Sequence, residues 1–133
     1  MALPSNTLRL VGVTGLHHVQ VAAPAGCEGA ARDFYGALLG LEEIPKPAAL
    51  AGRGGCWFRA GQQELHIGVA EAFSPAAKAH PGLVTGSEPA LREIAGRLEA
   101  AGVAVEWADP ADVGRARFHV SDPWGNRLEL LAP

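Results

Sequence analysis

The hydrophobic pattern of this chain changes period several times, and the order of changes occurs twice. Residues 15–22, with His18-Val19-Gln20-Val21 at their centre, alternate polar and apolar side chains, the mark of a strand with one buried face. Residues 28–39 switch to a helical period: Ala31, Phe34, Tyr35 and Leu38 stand at i, i+3, i+4 and i+7, one stripe of an amphipathic helix. Gly40 follows where a helix C-cap belongs. Strand-like stretches come next at 41–44, 55–60 and 63–69, and 70–79 reads as a loop or short helical link. The order then restarts with a strand at 80–85. A second helix over 88–101 follows Ser87, a good N-cap residue, and carries its stripe on Leu91, Ile94, Ala95 and Leu98. Gly102 closes it as Gly40 closes the first. Strands at 103–107, 114–120 and 127–131 complete the second half, the last two joined by the turn Asp122-Pro123-Trp124-Gly125-Asn126.

Each half therefore reads β-α-β-β-β, and the chain reads as an α+β protein of one domain over 14–133, with module one about 14–70 and module two about 79–132. Residues 1–13 precede the repeat as an N-terminal extension, a short extra strand or a loose arm. The Pro-, Ala- and Gly-rich stretch 45–54 reads as a flexible loop with the character of a lid.

Alternation also sorts the polar residues by face. Val19 and Val21 oppose His18 and Gln20; Leu65, Ile67 and Val69 oppose Glu64 and His66; Phe118 and Val120 oppose Arg115, Arg117 and His119; Leu128 and Leu130 oppose Arg127 and Glu129. The helix stripes must cover the apolar face, so the other face collects imidazoles, carboxylates and guanidiniums. His17 shares a face with Val19 and Val21 and is expected to be buried or to face a helix. A polar sheet face is often just solvated. The repeat points further: His18 and His80 stand 62 positions apart and His66 and Glu129 stand 63 apart, so each module offers one ligand-type residue on its first strand and one on its last. If the modules pair face to face about a pseudo-twofold axis, His18, His66, His80 and Glu129 converge on one divalent metal ion, zinc, nickel, manganese or iron, with room left for water or substrate. His119 is expected to line the cavity around that ion. Arg59, Arg115 and Arg117 are candidates to bind a substrate carboxylate or phosphate, with a solvated arginine as the equal alternative. Trp57 is a candidate cavity wall, and Trp124 belongs either to that wall or to the packing of its turn.

Composition narrows the classes. The 133 residues are 48% hydrophobic and 19% charged, with a net charge of −3. That balance argues against a nucleic-acid surface, which needs a basic stripe. No apolar run approaches the ~20 residues of a membrane span, and the first residues lack a signal-peptide pattern, so a cytoplasmic location is expected. Cys27 and Cys56 form no metal-type pair and are expected to be inert thiols.

The opening Leu16-His17-His18-Val19 and the closing Asp122-Pro123-Trp124-Gly125-Asn126-Arg127-Leu128-Glu129-Leu130, set in a duplicated β-α-β-β-β frame, resemble the vicinal oxygen chelate superfamily over residues 14–132. That group contains glyoxalase I, methylmalonyl-CoA epimerase, extradiol dioxygenases, fosfomycin-resistance thiol transferases and bleomycin-binding proteins. The resemblance implies modules paired into a cup-shaped mixed β-sheet with helices on the outer face, and a homodimer whose sites combine residues of two chains. It implies that His18, His66, His80 and Glu129 are the metal ligands and that Glu129 doubles as a catalytic base. His66 departs from glyoxalase-type members, which often carry Glu or Gln there. The activity implied is that of a metal-dependent lyase or isomerase of the glyoxalase type, acting on a small molecule chelated through adjacent oxygens. The alternatives are an Fe(II) extradiol-type dioxygenase and an antibiotic-resistance thiol transferase or drug-binding protein.

Overall fold

The structure is a computed structural model that describes residues 11–133, so most of the expected N-terminal extension, 1–10, lies outside the described residues. In module one, strand β1 (His18–Ala23) leads into an α-helical turn α1 (Glu28–Ala31) that continues as π-helix over Arg32–Leu38. Strands β2 (Glu42–Ile44), β3 (Cys56–Ala60) and β4 (Gln63–Val69) follow, with a 3-10 helix over Ala48–Arg53 between β2 and β3. Module two repeats the order: β5 (Gly82–Val84), α2 (Glu88–Ala100), β6 (Glu106–Trp107), a short helix α3 (Pro110–Val113), β7 (Arg117–Ser121) and β8 (Arg127–Leu131).

Each module builds a mixed four-stranded sheet, in the order β1-β4-β3-β2 and β5-β8-β7-β6. The β1/β4 and β5/β8 pairs are parallel and the others antiparallel. Neither sheet closes into a barrel. The helix caps form as their residues dictate: Ser87 accepts a 3.1 Å hydrogen bond from the Ala90 amide, and Gly40 and Gly102 take left-handed φ of 80° and 81° at the two helix ends. Leu91, Ala95 and Leu98 of α2 are buried, as are Phe34 and Tyr35 of the first helix, and they join Phe58, Leu65, Ile67, Phe118 and Leu128 in one core. Each large side chain taken fully out of water contributes about 1.5–3 kcal/mol before entropy is counted, so both helix stripes hold both sheets in place.

The turn after β7 ties the modules together. Asp122 Oδ1 accepts from the amides of Trp124 (3.0 Å) and Asn126 (2.8 Å), while its Oδ2 accepts from the Tyr35 hydroxyl (2.7 Å) and Asn126 Nδ2 (2.8 Å). Asn126 Nδ2 also donates to the Ala22 carbonyl of β1 at 2.7 Å. Asp122 and Asn126 are both buried, and every bond here replaces one lost to water.

Three local expectations change. His17 is exposed, because the strand begins only at His18 and alternation does not reach back to it. Its Nδ1 lies 2.9 Å from His18 Nδ1. The stretch 45–54 is not a bare loop: it holds the 3-10 helix, and its far end is fixed where the Gly55 amide donates to Glu28 Oε1 at 3.2 Å. Residues 114–116 are not strand. Asp109 caps α3 by accepting from the Ala111 amide at 3.0 Å, and Gly114 ends it at φ 72°.

Candidate metal centre

The ladder register shows that the two modules place their ligand-type residues alike. In module one, His66 pairs with Gln20, two residues after His18. In module two, Glu129 pairs with Gly82, two residues after His80. On the other side of the last strand, His66 pairs with Trp57 and Glu129 with His119. His18 and His80, His66 and Glu129, and Trp57 and His119 thus hold equivalent positions in the repeat.

The side chains in the two modules are arranged differently. In module two, one oxygen gathers three donors: Glu129 Oε1 lies 3.2 Å from His80 Nε2, 3.0 Å from His119 Nε2 and 3.2 Å from Arg117 Nη1. One ligand atom from each of His80, His119 and Glu129 lies within 4.8 Å of the other two. The His80 and His119 rings are inclined by 76°, so their lone pairs need not run parallel. Burial pushes the Glu129 carboxyl up, but the His80 hydrogen bond and the Arg117 charge outweigh it and hold the group below the usual carboxylate range. Burial, with the Arg127 charge beside it, holds His119 below the usual histidine range despite the pull of Glu129.

His80 supplies the test of whether a cation suits this place. Its Nδ1 lies 2.9 Å from the Lys78 carbonyl, which can only accept, so Nδ1 carries the proton. In the neutral ring Nε2 is then a bare lone pair, aimed at a carboxylate oxygen 3.2 Å away. Two acceptors at that distance repel unless a proton or a metal ion stands between them. Adjacent ligand atoms on an ion with bonds of about 2.1 Å stand roughly 3.0–3.4 Å apart, which both imidazole–carboxylate distances match. The donor set of two imidazoles and a carboxylate therefore fits a borderline divalent ion.

In module one, His18 and His66 stack with ring centroids 4.3 Å apart and planes 15° from parallel, and Trp57 stacks on His66 at 3.8 Å and 3°. Imidazole lone pairs lie in the ring plane, so near-parallel stacked rings do not aim at one ion. His66 Nε2 is bonded to Glu64 Oε1 at 2.9 Å, and its ring is buried. His18 and His80 nevertheless line one cleft, of about 990 Å³, together with Gln20, Glu64, Gly82 and Arg127.

Of the residues expected at one centre, the structure brings His80 and Glu129 together and adds His119, while His18 and His66 form a separate stack with Trp57. Arg117 reaches Glu129. Arg59 is exposed on β3 opposite Glu64, and Arg115 is exposed ahead of β7. Trp124 is partly buried against the core. Sequence reasoning missed how close His119 comes to Glu129, and the signal was present: a hairpin turning on residues 122–126 pairs 119 with 129. It also missed Glu64 as the partner of His66, two positions away on the same strand face.

The glyoxalase/bleomycin resistance protein/dioxygenase superfamily model matches residues 15–130. The chain belongs to that superfamily. Among solved structures, it is similar to a glyoxalase family protein from Bacillus anthracis, at 49% identity and a TM-score of 0.83 over 91% of this chain and 96% of that one. It shares its fold with the lactoylglutathione lyase of Agrobacterium tumefaciens (22% identity, TM-score 0.66, 90% and 94% covered). The same holds for a genomically encoded fosfomycin resistance protein of Listeria monocytogenes (18%, 0.71, 92% and 95%). No curated protein matches the chain. Members of the superfamily commonly use a divalent metal and bind small molecules, and among the described residues no helix is long and apolar enough to cross a membrane.

Proposed function

We propose that this member of the superfamily is a divalent-metal-dependent lyase or isomerase of the glyoxalase type, acting on a small substrate that presents two adjacent oxygens. The observation that carries the reading is the convergence of His80 Nε2 and His119 Nε2 on Glu129 Oε1, at 3.2 and 3.0 Å. His80, Glu129 and His119 would hold the ion. His18 and His66 would join it from module one of a second copy, in a homodimer, or across the shared cleft. Their equivalent register supports that addition, and leaving the stack with Trp57 is its condition.

When bound, the ion supplies Lewis acidity to the substrate's oxygens and makes an adjacent carbon-bound proton easier to remove. The chain does the rest. Glu129, ionised across the neutral range, takes that proton on a carboxylate oxygen and returns it to a neighbouring atom. Arg117 holds the carboxylate in place through Nη1. His80 is fixed in one tautomer by the Lys78 carbonyl.

One observation favours a second reading. Two imidazoles and one carboxylate are also the donor set of iron(II) oxygenases, so an extradiol-type dioxygenase is the alternative. The test is turnover by protein loaded with zinc, nickel, manganese or ferrous ion, first on 2-oxoaldehyde–thiol adducts, then on catechols under oxygen. Isomerisation of the adducts, lost in Glu129→Gln, supports the first reading. Ring cleavage with iron alone replaces it with the second. Turnover of neither class by a fully loaded protein overturns both.

A further inference from the structure

A second cleft, of about 870 Å³, opens where the helix of module one meets the end of β7. One wall is the π-helical run Arg32–Leu38, which contributes Asp33, Phe34 and Leu38. The opposite wall is the segment after α2, with Val103, Ala104 and Glu106, and the cleft is closed by Val120 and the turn that holds Asp122. Phe34 and Val120 are buried in the core, while Leu38 and Val103 are only partly covered, so the cleft has an apolar floor and apolar sides. Its volume suits a small molecule. A π-helical run is rare, and such runs recur at functional sites.

The charge in this cleft has one sign in excess. Three carboxylates line it, those of Asp33, Glu106 and Asp122, against the single guanidinium of Arg127. Even a charged His119 would leave the carboxylates ahead. None of the three forms an ion pair among the described residues. Asp33 and Glu106 are exposed and come from different modules, so it is the fold that brings them to one cleft. Asp122 is buried, and its four hydrogen bonds all come from neutral donors, so its charge is solvated but not cancelled. Apolar walls of low dielectric focus the field of such charges into the opening between them. The cleft shared by His18 and His80 differs: it holds one carboxylate, Glu64, and the same Arg127. His119 is the one residue of the candidate metal centre that lines the second cleft; neither His80 nor Glu129 does.

We propose that this cleft is a second ligand site and that it takes a small organic cation. An ammonium or guanidinium group is held at the rim by Asp33 and Glu106, and an apolar ring or chain lies against Leu38 and Val103. The site goes beyond the metal reading and needs no ion to form.

The experiment uses three probes of similar shape: 2-phenylethylammonium, 2-phenylethanol and phenylacetate. At pH 7 the ammonium has no lone pair to offer a metal, so the full chain is used as purified. Titrations are followed on the backbone amide resonances. The expected result is that the ammonium moves the amides of Leu38, Val103 and Glu106 and binds about fivefold or more tighter than the alcohol, with phenylacetate weakest. In the double variant Asp33→Asn with Glu106→Gln the preference for the ammonium falls to near unity while the alcohol binds as before. Both side chains are exposed, so the variant keeps the fold. Equal binding of ammonium and alcohol by the wild type, or a preference that survives in the double variant, overturns the cation site. So does a cation whose shifts fall instead on Leu16 and Leu83 of the other cleft, and so does the absence of binding by all three probes.

Discussion

The hydroxyl of Tyr35 donates a 2.7 Å hydrogen bond to Asp122 Oδ2, joining the helix of module one to the terminal turn of module two across 87 positions of chain. The phenol ring is fully buried, and burial, with the Asp122 charge next, pushes its ionisation far above the ordinary range. The Asp-Pro-Trp-Gly-Asn turn is therefore a clamp between modules as well as a reversal of the chain. Tyr35→Phe removes the donor while Asn126 still serves Asp122, so a loss of about 1–2 kcal/mol is expected, with a Tm lower by roughly 3–10 °C. Asp122→Ala strands the Trp124 and Asn126 amides as well and is expected to cost more. Urea unfolding of the three proteins checks the order. A Tyr35→Phe protein as stable as wild type would show that the clamp contributes nothing.

Two glycines separate a needed conformation from a needed absence of side chain. Gly55 takes φ 80°, and a Cβ there would lie 2.0 Å from the Ile67 carbonyl oxygen of β4. Gly61, in the β3–β4 turn, takes φ 63° with open space around it. Gly61→Ala is expected to cost only about 1–2 kcal/mol for the left-handed backbone. Gly55→Ala adds a backbone clash, so it is expected to fold poorly or lose more than about 3 kcal/mol. Thermal melts of the two variants give the comparison, and similar melting points would contradict the close approach of β3 and β4 at this point.

Cys27 and Cys56 are each 2% exposed. Burial pushes both thiols up, Cys56 to about 11. At pH 8 the native protein should react with Ellman's reagent at neither cysteine, and after denaturation at both. The same shifts set a pH dependence. Between the ordinary thiol range and about pH 11 the unfolded chain loses thiol protons that the folded chain keeps, so stability falls as pH rises there and is intact below it. Fast labelling of folded protein at pH 8 would contradict the burial of these thiols.

Much of the fold was legible because each strand has one buried face and each helix one stripe. Val21, Leu65, Ile67, Phe118, Val120, Leu128 and Leu130 fall where alternation puts them. The π-helical run Arg32–Leu38 was not legible, since Phe34 and Tyr35 are buried on one face whether the turn holds 3.6 residues or slightly more. The helix α3 was passed over although Asp109, Pro110 and Gly114 are its cap, first-turn and terminating residues. At the site, periodicity gave the face of His66, His119 and Glu129, and the repeat offset gave the place of His80, but neither gave their contacts. Whether His66 turns to a common centre or stacks between Trp57 and His18 depends on rotamers and on how the modules pack, and neither leaves a period in the sequence.

The most direct test is metal content by elemental analysis of tag-free protein, for wild type, Glu129→Gln, His80→Ala, His119→Ala and His18→Ala. The expected result is close to one divalent ion per chain in wild type and an affinity lower by more than about 100-fold in Glu129→Gln and His80→Ala. Comparable losses in His119→Ala place the third ligand on β7. A loss in His18→Ala instead brings module one to the ion. Wild-type protein that takes up no zinc, nickel, manganese or ferrous ion would contradict the metal centre outright, and the cation between His80 and Glu129 would then be a proton.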